Sequence, residues 1–119
     1  KLNGKMIEKL KIEIYADGAN IESFMNLNSN NFVKGFTTNP SLMKKSGIED
    51  YTKFAKELLS KIRNKPISFE VFADDLKSME VQANEIASWG ENVFVKIPIT
   101  NTKGESTKNL IANLNKKNV

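Results

Sequence analysis

Four times along the chain a short stretch of alternating apolar residues gives way to a longer one with apolar residues every three or four positions. Period-two alternation marks a strand with one buried face, and i, i+3, i+4 spacing marks a helix buried on one side. Ile12, Ile14 and Ala16 predict a strand over Lys11 to Ala16, followed by a short helix carrying Ile21, Phe24 and Met25. A second strand is predicted over Lys34 to Thr38. Asn39-Pro40 then reads as an N-cap before proline at the first helical position, and Gly47 stops that turn. Asp50 caps a helix whose apolar residues Tyr51, Phe54, Ala55, Leu58, Leu59 and Ile62 share a side, and Pro66 ends it. Ile67 to Ala73 reads as a third strand. Asp75 opens a helix with Leu76, Met79, Ala83, Ile86 and Ala87 inward, closed near Gly90. Val93 to Ile97 reads as a fourth strand, and Ser106 or Thr107 starts a last helix through Leu110, Ile111 and Leu114.

Strands alternating with helices imply a parallel sheet with right-handed crossovers. Four such units make half of a (β/α)8 barrel, and an open doubly wound sheet is the alternative. No linker, repeat or low-complexity tract interrupts them, so residues 1–119 read as a single partial domain.

Parity along the strands assigns the polar residues to one face. Ile14 and Ala16 oppose Glu13, Tyr15 and Asp17; Phe69 and Val71 oppose Ser68, Glu70 and Phe72; Val93, Val95 and Ile97 oppose Phe94 and Lys96. The apolar faces are expected to meet the helices. The other faces then point into the barrel, with Asp17, Glu70 and Lys96 near the carboxyl ends of their strands, where barrel active sites form. Lys96 interrupts an otherwise apolar run, Val93-Phe94-Val95-Lys96-Ile97-Pro98. Burial disfavours the charged form of an amine, which makes it a nucleophile toward carbonyl carbon. A lysine and two carboxylates at one strand end are the parts of Schiff-base chemistry. Each also has a plainer reading: Asp17 as a turn or cap residue, Glu70 as an ion-pair partner, Lys96 as a snorkelling surface residue.

Composition narrows the chemistry. The chain is 39% hydrophobic and 27% charged and carries a net charge of +4, from 18 basic and 14 acidic residues. Its cations are mostly lysines spread over helices, with no arginine-rich stripe or interleaved aromatics, so nucleic-acid binding has little support. It has no cysteine and no histidine, which removes disulfides, thiol catalysis, histidine bases and His/Cys zinc sites from these 119 residues. No apolar run approaches a membrane span, and a cytoplasmic location is expected.

The segments IYADGAN, VKGFTTNPSLMKKSGI, PISFEVFADD and NVFVKIPITNTKGE together resemble the transaldolase family, in its short branch that includes fructose-6-phosphate aldolase. The likeness runs in order from about Lys11 to the last residue. It implies a (β/α)8 barrel and a class I mechanism with no metal or cofactor, acting on sugar phosphates in the pentose phosphate pathway. Lys96 matches the Schiff-base lysine, and Asp17 matches the proton-transfer carboxylate that ends the first strand. Thr38, Asn39 and Ser41 match the loop that holds substrate. Glu70 falls where transaldolases place the glutamate that activates water, and where the aldolase branch tends to carry glutamine.

A whole member of this family has four further strand–helix units, which usually bind the substrate phosphate. The chain begins at Lys1 rather than methionine and stops just after a helical segment, so it is expected to be an N-terminal half. Alone, such a half is expected to be inactive and prone to aggregate or pair with another copy. The rival functions are a lyase that releases the three-carbon unit and a non-catalytic module binding a phosphorylated ligand or a partner.

Overall fold

The structure, a computed structural model, describes residues 11–119. Over them the chain runs β1 (Ile14–Asp17), α1 (Ile21–Asn28), β2 (Val33–Thr38), α2 (Pro40–Lys45), α3 (Tyr51–Lys61), β3 (Ile67–Glu70), α4 (Leu76–Ala87), β4 (Val93–Lys96) and α5 (Lys108–Lys116). The strands form one parallel sheet in the order β1-β2-β3-β4. A doubly wound sheet reverses direction at a switch point, whereas a barrel adds each strand beside the last. The described strands contain no reversal, as expected for part of a (β/α)8 barrel.

Local chemistry sets the helix starts. Asn20, Asn39, Asp50 and Asp75 each accept the backbone N–H three residues on, at 2.9, 2.9, 3.0 and 2.8 Å. Each such cap is worth about 1 kcal/mol. Thr107 behaves differently. Its hydroxyl donates to the carbonyls of Pro98 and Ile99 rather than capping α5, which ties the start of that helix to the exit of β4.

One face of the sheet carries the core. Phe36, Ile67 and Phe69 are fully buried against Phe24 of α1, Leu58 of α3, Ile62 just past the end of α3, and Met79 and Ile86 of α4. The opposite face is open, with Tyr15 42% and Phe94 61% exposed. On that face Tyr15 pairs with Gly35, where no side chain fits. A Cβ on Gly35 would stand 2.5 Å from the Tyr15 ring and 2.8 Å from the Pro66 carbonyl oxygen.

Strand ends differ from the sequence pattern for traceable reasons. The first strand starts at Ile14 rather than Lys11, because its pairing begins with Ile14 opposite Val33. The third ends at Glu70 rather than Ala73. The N–H groups of Phe72 and Ala73 both turn to Gln82 Oε1 on α4, at 2.9 Å each, and leave the ladder. The fourth ends at Lys96, one residue early, ahead of Pro98.

Candidate functional site at the carboxyl ends of the strands

Lys96 ends β4 and Glu70 ends β3, and the register sets them directly opposite one another. Adjacent strands lie about 4.8 Å apart, so both side chains leave neighbouring backbone positions toward the open face. The pair is fastened through the main chain, because Val71 N–H donates to the Lys96 carbonyl at 3.2 Å. Among the described residues the one ion pair is Lys117 with Glu80, so Glu70 and Lys96 are register neighbours without being salt-bridged. The plainer reading of Glu70 as a standing counter-ion for Lys96 is not what the structure has.

Lys96 is half-buried rather than buried. The reason lies in its surroundings: the open face has no second layer over it among the described residues, and its strand neighbour Phe94 is largely exposed.

Asp17 ends β1 on the same face. Its register partner on β2 is Thr37, whose hydroxyl donates to Asp17 Oδ1 at 2.7 Å. The register continues from Thr37 to Ser68 and from Ser68 to Phe94. Asp17 therefore shares the face and strand end of Glu70 and Lys96 but stands across the sheet from Lys96, three strands away.

The TTNPS loop divides. Asn39 is half-buried and gives its Oδ1 to the Leu42 N–H as the cap of α2, which leaves its Nδ2 group as the donor for other work. Ser41 is exposed in the first turn of α2. Thr38 is placed otherwise than expected. It pairs with Phe69 on the core face and is completely buried, and its hydroxyl has no hydrogen-bond partner. A side chain turned toward the helices cannot hold a substrate on the opposite face, so Thr38 is withdrawn from the substrate-binding set. Its neighbour Thr37 takes the open-face position. Extending the strand parity from Asp17 to β2 is the signal that identifies it.

Asn39, Ser41, Glu70, Phe72, Asp74 and Thr102 are among the residues lining an open cavity of about 540 Å³ above the strand ends. Lys96 and Asp17 lie outside its lining. Across it, Asp74 after β3 grips Thr102 after β4 through the backbone N–H at 2.9 Å and the hydroxyl at 2.6 Å. These bonds hold the carboxyl of Asp74 below its ordinary pKa, the Thr102 hydroxyl first and its N–H second. Asp74 lacks a sequence signal as a site residue, since its partner lies 28 positions away.

A parallel sheet of consecutive strands with a lysine and carboxylates at their carboxyl ends defines an α/β barrel-type protein. The family model described as Transaldolase/Fructose-6-phosphate aldolase matches residues 14–119, and the chain belongs to that family. Among its relatives, a protein named "Probable transaldolase" from Dehalococcoides mccartyi is 40% identical over 89 residues, which cover 75% of this chain and 41% of that protein. One of the same name from Methanococcus maripaludis is 40% identical over 102 residues, covering 86% of this chain and 46% of its own length. A third, from Maridesulfovibrio salexigens, is 32% identical over 99 residues, covering 83% and 45%. The matched region thus spans less than half the length of these relatives. No described helix is long and apolar enough to cross a membrane.

Proposed function

We propose that the complete protein is a transaldolase that moves a dihydroxyacetone unit from a ketose phosphate to an aldose phosphate through a Schiff base on Lys96. The observation that carries this is the register pairing of Glu70 with Lys96, an amine and a carboxylate side by side with no ion pair between them. Family membership supports the reaction type, and the relatives' printed names support transfer.

In this reading the Lys96 amine adds to the ketone carbon of the donor and gives a carbinolamine. Loss of water forms the iminium, with Glu70 handing on the proton through a water molecule. Asp17 removes the proton from the hydroxyl beside the bond to be cleaved. The carbon–carbon bond breaks, an aldose phosphate leaves, and the electron pair of that bond becomes the carbon–carbon double bond of an enamine held on Lys96. The enamine then adds to the carbonyl carbon of the acceptor, and Asp17 returns its proton to the new hydroxyl. Hydrolysis of the iminium, with Glu70 activating water, frees the product and the amine. Thr37 holds Asp17 in place through its 2.7 Å bond, and Asn39 and Ser41 offer polar groups at the rim. The sugar phosphates would belong to the pentose phosphate pathway, in the cytoplasm.

Product analysis tests this. The complete protein given fructose 6-phosphate is expected to release its aldose product beyond one equivalent per site only when an aldose phosphate acceptor is present, and Lys96→Ala is expected to abolish the exchange. Steady release of free dihydroxyacetone without acceptor would make it an aldolase instead.

A further inference from the structure

The carbonyl oxygen of Glu70 lacks its expected partner within the sheet. In the β2–β3 ladder, Phe36 N–H donates to the Pro66 carbonyl, and successive bonds in a parallel ladder fall two residues apart. That spacing brings Ser68 opposite the N–H of Thr38, and Glu70 opposite residue 40. Residue 40 is proline and has no N–H to give. The Tyr51 hydroxyl on α3 donates to the Glu70 carbonyl instead, at 2.8 Å.

We infer that Tyr51 is a positioning residue for Glu70: its phenol replaces the ladder donor that Pro40 lacks and fixes the strand end from which the carboxylate projects. The inference rests on the role proposed above for Glu70. Tyr51 is placed for this by packing on both sides of Glu70 in sequence. Its ring centroid lies 6.3 Å from that of Phe69 and 5.5 Å from that of Phe72, with Trp89 behind it at 5.9 Å. Burial first, and the Glu70 carboxylate second, push the phenol pKa up, so it stays a protonated donor across the working range. A carboxylate that must activate a water needs its backbone fixed to within a fraction of an ångström, and a misplacement of 1 Å costs as much as about 100-fold in rate.

The test uses the complete protein with fructose 6-phosphate and an aldose phosphate acceptor. Tyr51→Phe keeps the ring and its neighbours and removes only the hydroxyl. Turnover per folded molecule, with folding read by a melting curve, is expected to fall about tenfold while KM stays within about twofold. The borohydride-trapped Lys96 adduct is expected to form in normal yield. In a Glu70→Gln background the same substitution is expected to change kcat by less than about twofold, because the group it positions is already gone. Undiminished kcat in Tyr51→Phe overturns the inference. So does an equal loss in the Glu70→Gln background, which marks a merely structural effect. Absence of any adduct in the unsubstituted protein removes the proposed function and this inference with it, and that result is read separately from the kcat ratio.

Discussion

Gly35→Ala is the substitution whose cost the geometry specifies most sharply. The added methyl would meet two atoms at once, Tyr15 Cε2 at 2.5 Å and the Pro66 carbonyl oxygen at 2.8 Å. They differ in how far each can yield. The Tyr15 ring stands on the open face, 42% exposed, and can swing away about its side-chain torsions. The Pro66 oxygen is backbone, held at 2.9 Å by the N–H of Phe36, the residue next to Gly35. Moving it stretches the β2–β3 ladder that leads to Thr37 and Glu70. Overpacking of this kind costs about 1–3 kcal/mol, and the immovable partner places Gly35→Ala near the middle, about 2 kcal/mol. Denaturant unfolding of the complete protein measures it, in the native background and again with Tyr15→Ala. Because the backbone contact dominates, the cost is expected to persist in the second background, with an interaction energy below about 0.5 kcal/mol. A neutral Gly35→Ala would refute the reasoning. So would a cost that vanishes once the ring is removed, which would make Tyr15 rather than the strand the obstacle.

Three further outcomes follow from the same geometry. Thr37→Val removes the bond to Asp17 and is expected to lower kcat of the complete protein about tenfold, as loss of a supporting hydrogen bond does, whereas Thr38→Val removes an unpartnered buried hydroxyl and is expected to raise unfolding free energy by up to about 1 kcal/mol; denaturant melts and steady-state rates check the pair. Lys65→Met deletes the bonds from the Lys65 ammonium to the carbonyls of Asn28 and Asn30, at 2.8 and 2.9 Å, and is expected to cost about 1–3 kcal/mol in denaturant unfolding. Asp74 has its pKa depressed by Thr102, so its contribution to stability is present above its ordinary pKa and is lost as pH falls through the folded value; melting temperature against pH from 6 down to about 2 is expected to fall less steeply in Asp74→Asn than in the unsubstituted protein.

How far the sequence reveals this arrangement depends on whether a feature is local. Helix starts at Asn39, Asp50 and Asp75 are visible because a cap and its target lie three residues apart. The shared face of Asp17, Glu70 and Lys96 is visible because alternation along a strand is local. Features that depend on how strands pair are not. The early end of β3 follows from Gln82, ten residues from Phe72. Tyr51 reads as one more apolar residue of its helix. Its hydroxyl gains a purpose only when the β2–β3 register is carried on past Thr38 and Phe69 to Pro40 and Glu70. Barrel and doubly wound sheets share the same strand–helix rhythm and differ only in strand order.

Trapping the covalent intermediate reaches the central claim most directly. The complete protein, incubated with fructose 6-phosphate and reduced with borohydride, is expected to carry one sugar-derived adduct, and peptide mapping is expected to find it on Lys96 and nowhere else. An adduct on a different lysine, or a protein that turns over substrate while leaving Lys96 unmodified, would contradict the account.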